Sequence, residues 1–148
     1  MASANVSADE AAIRELISRQ AARLSWARGR EADWQGFADA FQAGAPMIPS
    51  SRPARPHSVG SFLDRMKSLA ASTLPDFQER ALGGEIRVFG NVAVALVAGE
   101  TRENGTDVNR DVSGYLLIKE GGRWLIAAQA WDKESPDRPI PKTMLDPG

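Results

Sequence analysis

The spacing of apolar residues changes period once along the chain. Up to Ser72 they recur three and four apart; from Phe77 onward they alternate or run together in short segments. The first pattern predicts amphipathic helices and the second predicts strands. Ile13, Leu16, Ile17, Gln20 and Leu24 form one helical stripe, interrupted by the amide of Gln20, with Trp26 pointing away from it. Ser7 with Glu10 three residues on reads as a capping-box start, and Arg28 and Gly29 suit the helix's C-terminal end. A second, shorter helix is expected from Asp33 as N-cap to about Phe41, with Trp34, Phe37 and Phe41 on one face and Gly44 ending it. Prolines 46, 49, 53 and 56 then forbid a helix and a central strand, so an edge strand and an extended loop are expected. A third helix follows over about Ser58 to Ser72, with Val59, Phe62, Leu63, Met66 and Leu69 as its stripe. Pro75 stops it.

Glu85 to Asp132 reads as one antiparallel meander, cut by Gly90-Asn91, Asn104-Gly105 and Gly121-Gly122. Such pairs accept the positive φ that tight hairpins demand. If all three loops have two residues, counting sorts the side chains into two faces. One carries Ile86, Val88, Ala93, Ala95, Val97 and Gly99, then Arg110, Val112, Gly114 and Leu116, then Leu125, Ala127, Gln129 and Trp131. The other carries Val94, Leu96, Glu100, Asp111, Ser113, Tyr115, Trp124, Ile126 and Asp132 among others. Both are too apolar for a sheet with one wet side. The Ala- and Gly-rich face lets helices approach and is assigned to them. No segment of the chain is left for the other, so a homodimer through Val94, Leu96, Tyr115, Trp124 and Ile126 is expected. The tail from Glu134, with prolines 136, 139, 141 and 147, should run extended over the surface or onto a partner. The whole of 1–148 is read as one domain, its core about 8–134.

Composition narrows the chemistry. With 148 residues, 43% hydrophobic and 25% charged, the chain can bury a sizeable core. A net charge of -1 gives no footprint for a polyanion, so no nucleic acid partner is expected. There is no cysteine and one histidine, His57, which excludes disulfides, thiolate chemistry and imidazole-rich metal sites. No metal and no cofactor is expected. The first residues lack the charge and apolar stretch of a signal peptide, and no apolar run has membrane-spanning length, so the expectation is a cytoplasmic chain without a membrane partner. No nucleophile elbow is present, and Gly83-Gly84 opens no helix and is no phosphate loop.

The helix start at Asp33 with Phe37 and Phe41, and the ending Lys119-Glu120-Gly121-Gly122-Arg123-Trp124-Leu125-Ile126 followed by Trp131-Asp132, resemble the nuclear transport factor 2-like superfamily. The similarity covers roughly 8–134. It is greatest to the bacterial branch of SnoaL-like polyketide cyclases, ketosteroid isomerase and limonene epoxide hydrolase. The resemblance implies an α+β fold in which three N-terminal helices pack on the concave face of a cone-shaped, curved antiparallel sheet. It also implies a pocket between helices and sheet, often a sheet-to-sheet dimer, and an ionisable group on the concave face. The chain departs from the family pattern at Gln42-Ala43-Gly44 and at Gln129, where many relatives carry acids.

Arg110, Gln129 and Trp131 share the expected helix side. In the functional reading Arg110 and Gln129 fix a polar or anionic head group while Trp131 stacks on an apolar body; in the other, Arg110 sits at the rim beside Glu79 or solvent. Gln20 stands where relatives often show a pocket tyrosine, or is an amide bonded to backbone. Trp34, Phe37 and Phe41 belong to the core, with Trp34 and Phe41 able to line the pocket. His57 is the side chain with a pKa near neutrality, hence a candidate catalytic base in a loop bordering the pocket mouth. Glu100, Asp111 and Asp132 converge on the opposite face, with Asp111 opposite Asp132, either neutralised by arginines at the dimer edge or, with the faces reversed, an active site. The expected function is a small-molecule pocket protein acting as a lyase, isomerase or cyclase on an apolar substrate with one polar end. The alternative is a non-catalytic ligand-binding or dimerisation module.

Overall fold

The computed structural model describes residues 4–145. Helix α1 spans Ala4–Arg23, α2 Trp34–Asp39 and α3 Val59–Ala70; strands β1 (Pro46–Ile48) and β2 (His57–Ser58) precede α3. Four long strands follow, β3 (Phe77–Phe89), β4 (Val92–Glu103), β5 (Asp107–Glu120) and β6 (Arg123–Lys133), then a 3-10 turn at Lys142–Met144. They form one curved, unclosed mixed sheet in the order β2-β1-β6-β5-β4-β3, with the helices on its concave side.

Local signals explain the helix boundaries. Asp33 caps α2 by accepting from Gly36 N, and Ser58 caps α3 by accepting from Ser61 N. The capping box expected at Ser7 is not used, because α1 already begins at Ala4. At the other end α1 stops at Arg23, before the expected Arg28. Residues 25–30 leave the helix to serve β3: Trp26 exchanges both backbone hydrogen bonds with Phe77, at 2.8 and 2.9 Å. Trp26 is therefore buried, its indole N–H donating to Leu74 O at 2.7 Å and its ring stacked on Phe77. The Pro-rich segment holds a strand that is not at the edge. β1 pairs parallel with β6 and antiparallel with β2, so the edge falls to β2.

Ile13 and Ile17 of α1, with Leu24 just past its end, meet Phe37 of α2, Phe41 just past it and Leu63 of α3 over Ile86, Ala93, Ala95, Leu117 and Ile126 of the sheet. Burying a side chain as fully as Ile13, Leu117 or Ile126 is worth roughly 1.5–3 kcal/mol. Asp9 ties α1 to the last hairpin by accepting from Lys119 Nζ at 2.9 Å and from the Trp124 indole at 3.1 Å. Those two bonds draw its carboxyl below the usual range.

The face assignment from counting needs three corrections. The β4–β5 loop has three residues, since Glu103 pairs with Asp107. Asn104 is drawn toward the segment before β3, its N–H on Asp76 O and its Nδ2 on Thr73 O, and takes a positive φ of 50°. The extra residue turns all of β5 over. Asp111, Ser113, Tyr115 and Leu117 face the helices, while Arg110, Val112, Gly114 and Leu116 face out. A register shift between Leu116 and Leu117 then leaves Ala127 as an extra residue on β6, so Gln129 pairs with Tyr115 instead of Gly114. Gln129 and Trp131 keep the helix side; Trp124 and Ile126 join it. The third shift lies in β3, where Leu82 and Gly83 together oppose Ala98. This bulge brings Glu79 onto the concave face.

On the outer face the tail covers what nothing else was expected to cover. Ile140 and Met144 are buried against Leu82 and Ala98. The remainder of that face stays open, with Val92, Val94, Leu96 and Leu116 about half exposed.

Candidate functional site

Beyond the apolar core, the concave face turns polar toward the ends of β3, β5 and β6. Ser113 pairs with Trp131, Tyr115 with Gln129, Asp111 with Lys133, and Gly99 of β4 with Asp111. Glu79 enters from β3, pairing with Thr101. Its backbone is held by Ser25, just past α1, whose Oγ accepts from Glu79 N at 2.9 Å. Gln129 Nε2 donates to Ser113 Oγ and to Tyr115 Oη, both at 3.3 Å. Accepting that bond leaves the Tyr115 phenol its proton to donate. Trp131 meets the edge of Phe62 from α3 at 5.8 Å, so an aromatic wall stands beside the polar row.

β3 and β5 each bring a carboxyl to this row, Glu79 and Asp111. Among the described residues, the side chains of Glu79 and Asp111 have neither a hydrogen-bond nor an ion-pair partner, and both are half-buried. Burial, with the nearby charge of Asp111, pushes Glu79 up to about 8. Burial pushes Asp111 up to about 6, opposed by the positive charge of Lys133. The Tyr115 phenol is raised as well, first by burial and then by the charge on Glu79. At neutral pH Glu79 therefore keeps its proton while Asp111 has lost its own. Environments that push two acids apart in this way assign one as proton donor and the other as acceptor. Gly99 makes room for the second: a Cβ there would stand 3.1 Å from Asp111 Oδ1.

Of the residues singled out in the sequence, Gln129 and Trp131 belong to this row. Arg110 does not. It stands on the outer face, donating from Nε to Glu100 Oε2 at 3.0 Å while Arg80 holds the other oxygen. Glu100 is nearly buried, and its carboxyl is held below the usual range, chiefly by the Arg110 hydrogen bond. Asp132 is on that outer side too, opposite Val112 and paired with Arg138 at 3.3 Å, so the expected Glu100–Asp111–Asp132 cluster is split across the sheet. Gln20 is buried with its amide engaged, Nε2 on Phe37 O and Oε1 on Arg23. Phe41 is buried in the core, and Trp34 packs on Trp26 away from the polar row. His57 is exposed on the edge strand. Its register row runs through Met47 to Gln129 and Tyr115, two strand spacings or about 10 Å from Gln129, with buried Met47 between them.

Glu79 and Tyr115 were missed as site residues because their faces depend on one extra residue each. The Gly83-Gly84 pair inside a strand is a bulge signal that sequence reading could have used. Among the described residues no group of three or more His, Cys, Asp or Glu is placed to hold a metal, and no helix is long and apolar enough to cross a membrane.

No family model and no curated protein matches the chain. Solved structures do match it in fold. A domain of unknown function with a cystatin-like fold from Nostoc punctiforme superposes with a TM-score of 0.67 at 20% identity, covering 89% of this chain and 82% of that one. A nuclear transport factor 2-like protein of unknown function from Shewanella baltica gives 0.62 at 14%, covering 87% and 96%. A protein from Novosphingobium aromaticivorans, provisionally named a scytalone dehydratase, gives 0.66 at 9%, covering 95% and 93%.

Proposed function

On a chain with the nuclear transport factor 2-like fold, we propose a small-molecule site at the polar end of the concave face, where Asp111 and Glu79 move a proton on an apolar substrate with one oxygen-bearing end. The observation that carries this is the pair of half-buried carboxyls without partners, one protonated and one ionised at neutral pH. In this reading Asp111 removes a proton from carbon next to a carbonyl. Glu79 and the Tyr115 phenol donate hydrogen bonds to the oxygen on which negative charge develops. The proton on Glu79 or on Asp111 then returns to carbon in an isomerisation, or leaves with hydroxyl as water in a lyase reaction. Ser113 and Gln129 set the Tyr115 hydroxyl, and Trp131 with Phe62 offers the apolar wall. With Arg110 outside, an anionic head group finds no guanidinium here; a carbonyl or hydroxyl is the better match.

The direct experiment is deuterium exchange into a panel of cyclic ketones, followed by NMR. The reading expects exchange by the wild type with a bell-shaped profile between about 6 and about 8, lost in Asp111→Asn and reduced in Glu79→Gln. Ketones that bind without exchanging would instead favour a ligand carrier.

The outer face supports a second copy of the chain as partner, with the residues corrected. Val94 and Leu96 remain on it; Tyr115, Trp124 and Ile126 give way to Val92, Leu116, Ala128 and Ala130. Four half-exposed large apolar side chains on adjacent strands form a patch that a partner sheet would dry.

A further inference from the structure

A groove separate from the concave site lies between the segment after α1 and the last turns of α3, and it encloses about 600 Å³. That volume is in the range of small-molecule sites. Its apolar floor is the half-buried Trp34, backed by the buried Trp26 and flanked by Ala70, Ala71 and Pro75. Trp26 is fixed by its bond to Leu74 O and its stack on Phe77, and Trp34 lies against it at 5.4 Å, tilted by 41°. Its rim is cationic. Arg28, Arg30 and Lys67 line it against one acid, Glu31, in a chain whose net charge is -1. None of these cations has a carboxylate within 4.0 Å among the described residues. Arg30 donates to the neutral amide of Gln78 at 3.2 Å, and Lys67 Nζ stands 5.8 Å from the Trp34 ring centroid. The carbonyls at the end of α3 do not consume these charges. Lys67 O takes Ala71 N–H, Leu69 O takes those of Ser72 and Leu74, and Leu74 O takes the Trp26 indole.

We propose that this groove binds a planar aromatic carboxylate, its ring on Trp34, which the buried Trp26 holds from behind, and its anion held by Arg28, Arg30 and Lys67. A neutral aromatic would use the floor and leave the cations without an acceptor. A bare inorganic anion would use the rim and leave the Trp34 indole wet. A flat body with a carboxylate at one end satisfies both, since guanidinium forks match carboxylates and the aromatic faces supply stacking area.

The test is calorimetric titration of the full chain with 2-naphthoate, 2-naphthylmethanol and inorganic phosphate. The expected result is 2-naphthoate binding at about 1 mM or tighter, at least about tenfold better than the alcohol or phosphate, and weakened by added salt. The exposed pair Arg28→Gln/Lys67→Gln should weaken it at least about tenfold, and Trp34→Leu should weaken it without abolishing the salt dependence. Glu79→Gln should leave it unchanged, which separates this groove from the concave site. Equal affinity for the acid and the alcohol, no effect of the double substitution, or no heat up to about 1 mM would overturn the proposal.

Discussion

Glu79→Gln isolates what it takes to keep a carboxyl on the concave face. Glutamine preserves length and a polar head but cannot ionise. In the folded chain Glu79 keeps its proton up to about 8, against an ordinary 4.5. Between those values the folded state therefore binds more protons than the unfolded chain. With respect to this group the fold is most stable below about 4.5, where both states are protonated, and loses stability as pH rises toward 8. The loss runs at about 1.4 kcal/mol per pH unit, which makes it about 3 kcal/mol at pH 7. The variant escapes that loss. Whatever offset the substitution introduces at pH 4.5, the advantage of Glu79→Gln should grow by about 3 kcal/mol on going to pH 7. Urea denaturation of both proteins at several pH values across this window, with equal slopes m, reads the difference directly. A difference that stays constant with pH would mean that Glu79 titrates like a solvent-exposed carboxyl, and the donor role argued for it would fall with that result.

Other perturbations address the remaining parts of the structure. Arg110→Ala should destabilise by about 1–2 kcal/mol by removing the main partner of nearly buried Glu100, yet leave proton exchange at the concave face intact. Because the Glu100 carboxyl is held low, its contribution is present above the ordinary carboxylate range and lost as pH falls, so Arg110→Ala should also narrow the gap to wild type in acid. Gly84→Ala should cost about 3 kcal/mol in chemical denaturation, since a Cβ there runs into Leu96 O across the strand. The wild type should sediment as a dimer at micromolar concentration and Leu96→Asp as a monomer; a wild-type monomer would remove the argument from the outer face.

What could be read from the sequence was what is encoded within a few residues. Asp33 and Ser58 cap their helices by side-chain bonds to N–H groups three residues on, and Phe77 to Phe89 carries a strand that follows Pro75 and ends at the turn glycine Gly90. The order of elements and the fold class follow from such signals. The site depends on parity instead. Asn104 lengthens its loop because it is tied to Thr73 and Asp76, residues 31 and 28 positions away, and no local pattern announces that. Gln129 and Trp131 were assigned to the helix side and lie there, but their partners across the sheet are Tyr115 and Ser113, residues counted to the wrong side. Arg110 was drawn in by the same slip. Its salt bridge to Glu100 is a pair across neighbouring strands that only a settled register reveals.

The Leu82–Gly83 bulge has one more consequence, for how a scaffold of this kind could change its ligand. Were β3 to pair straight through there at unchanged length, with the pairing to β4 kept near the turn, Arg80 would stand opposite Thr101, where Glu79 now stands, and the acid would turn to the surface. The floor of the site would then carry a guanidinium, suited to oxyanions, without any replaced side chain. The bulge at that point, more than the identity of any residue on the concave face, decides the sign of charge that this face offers.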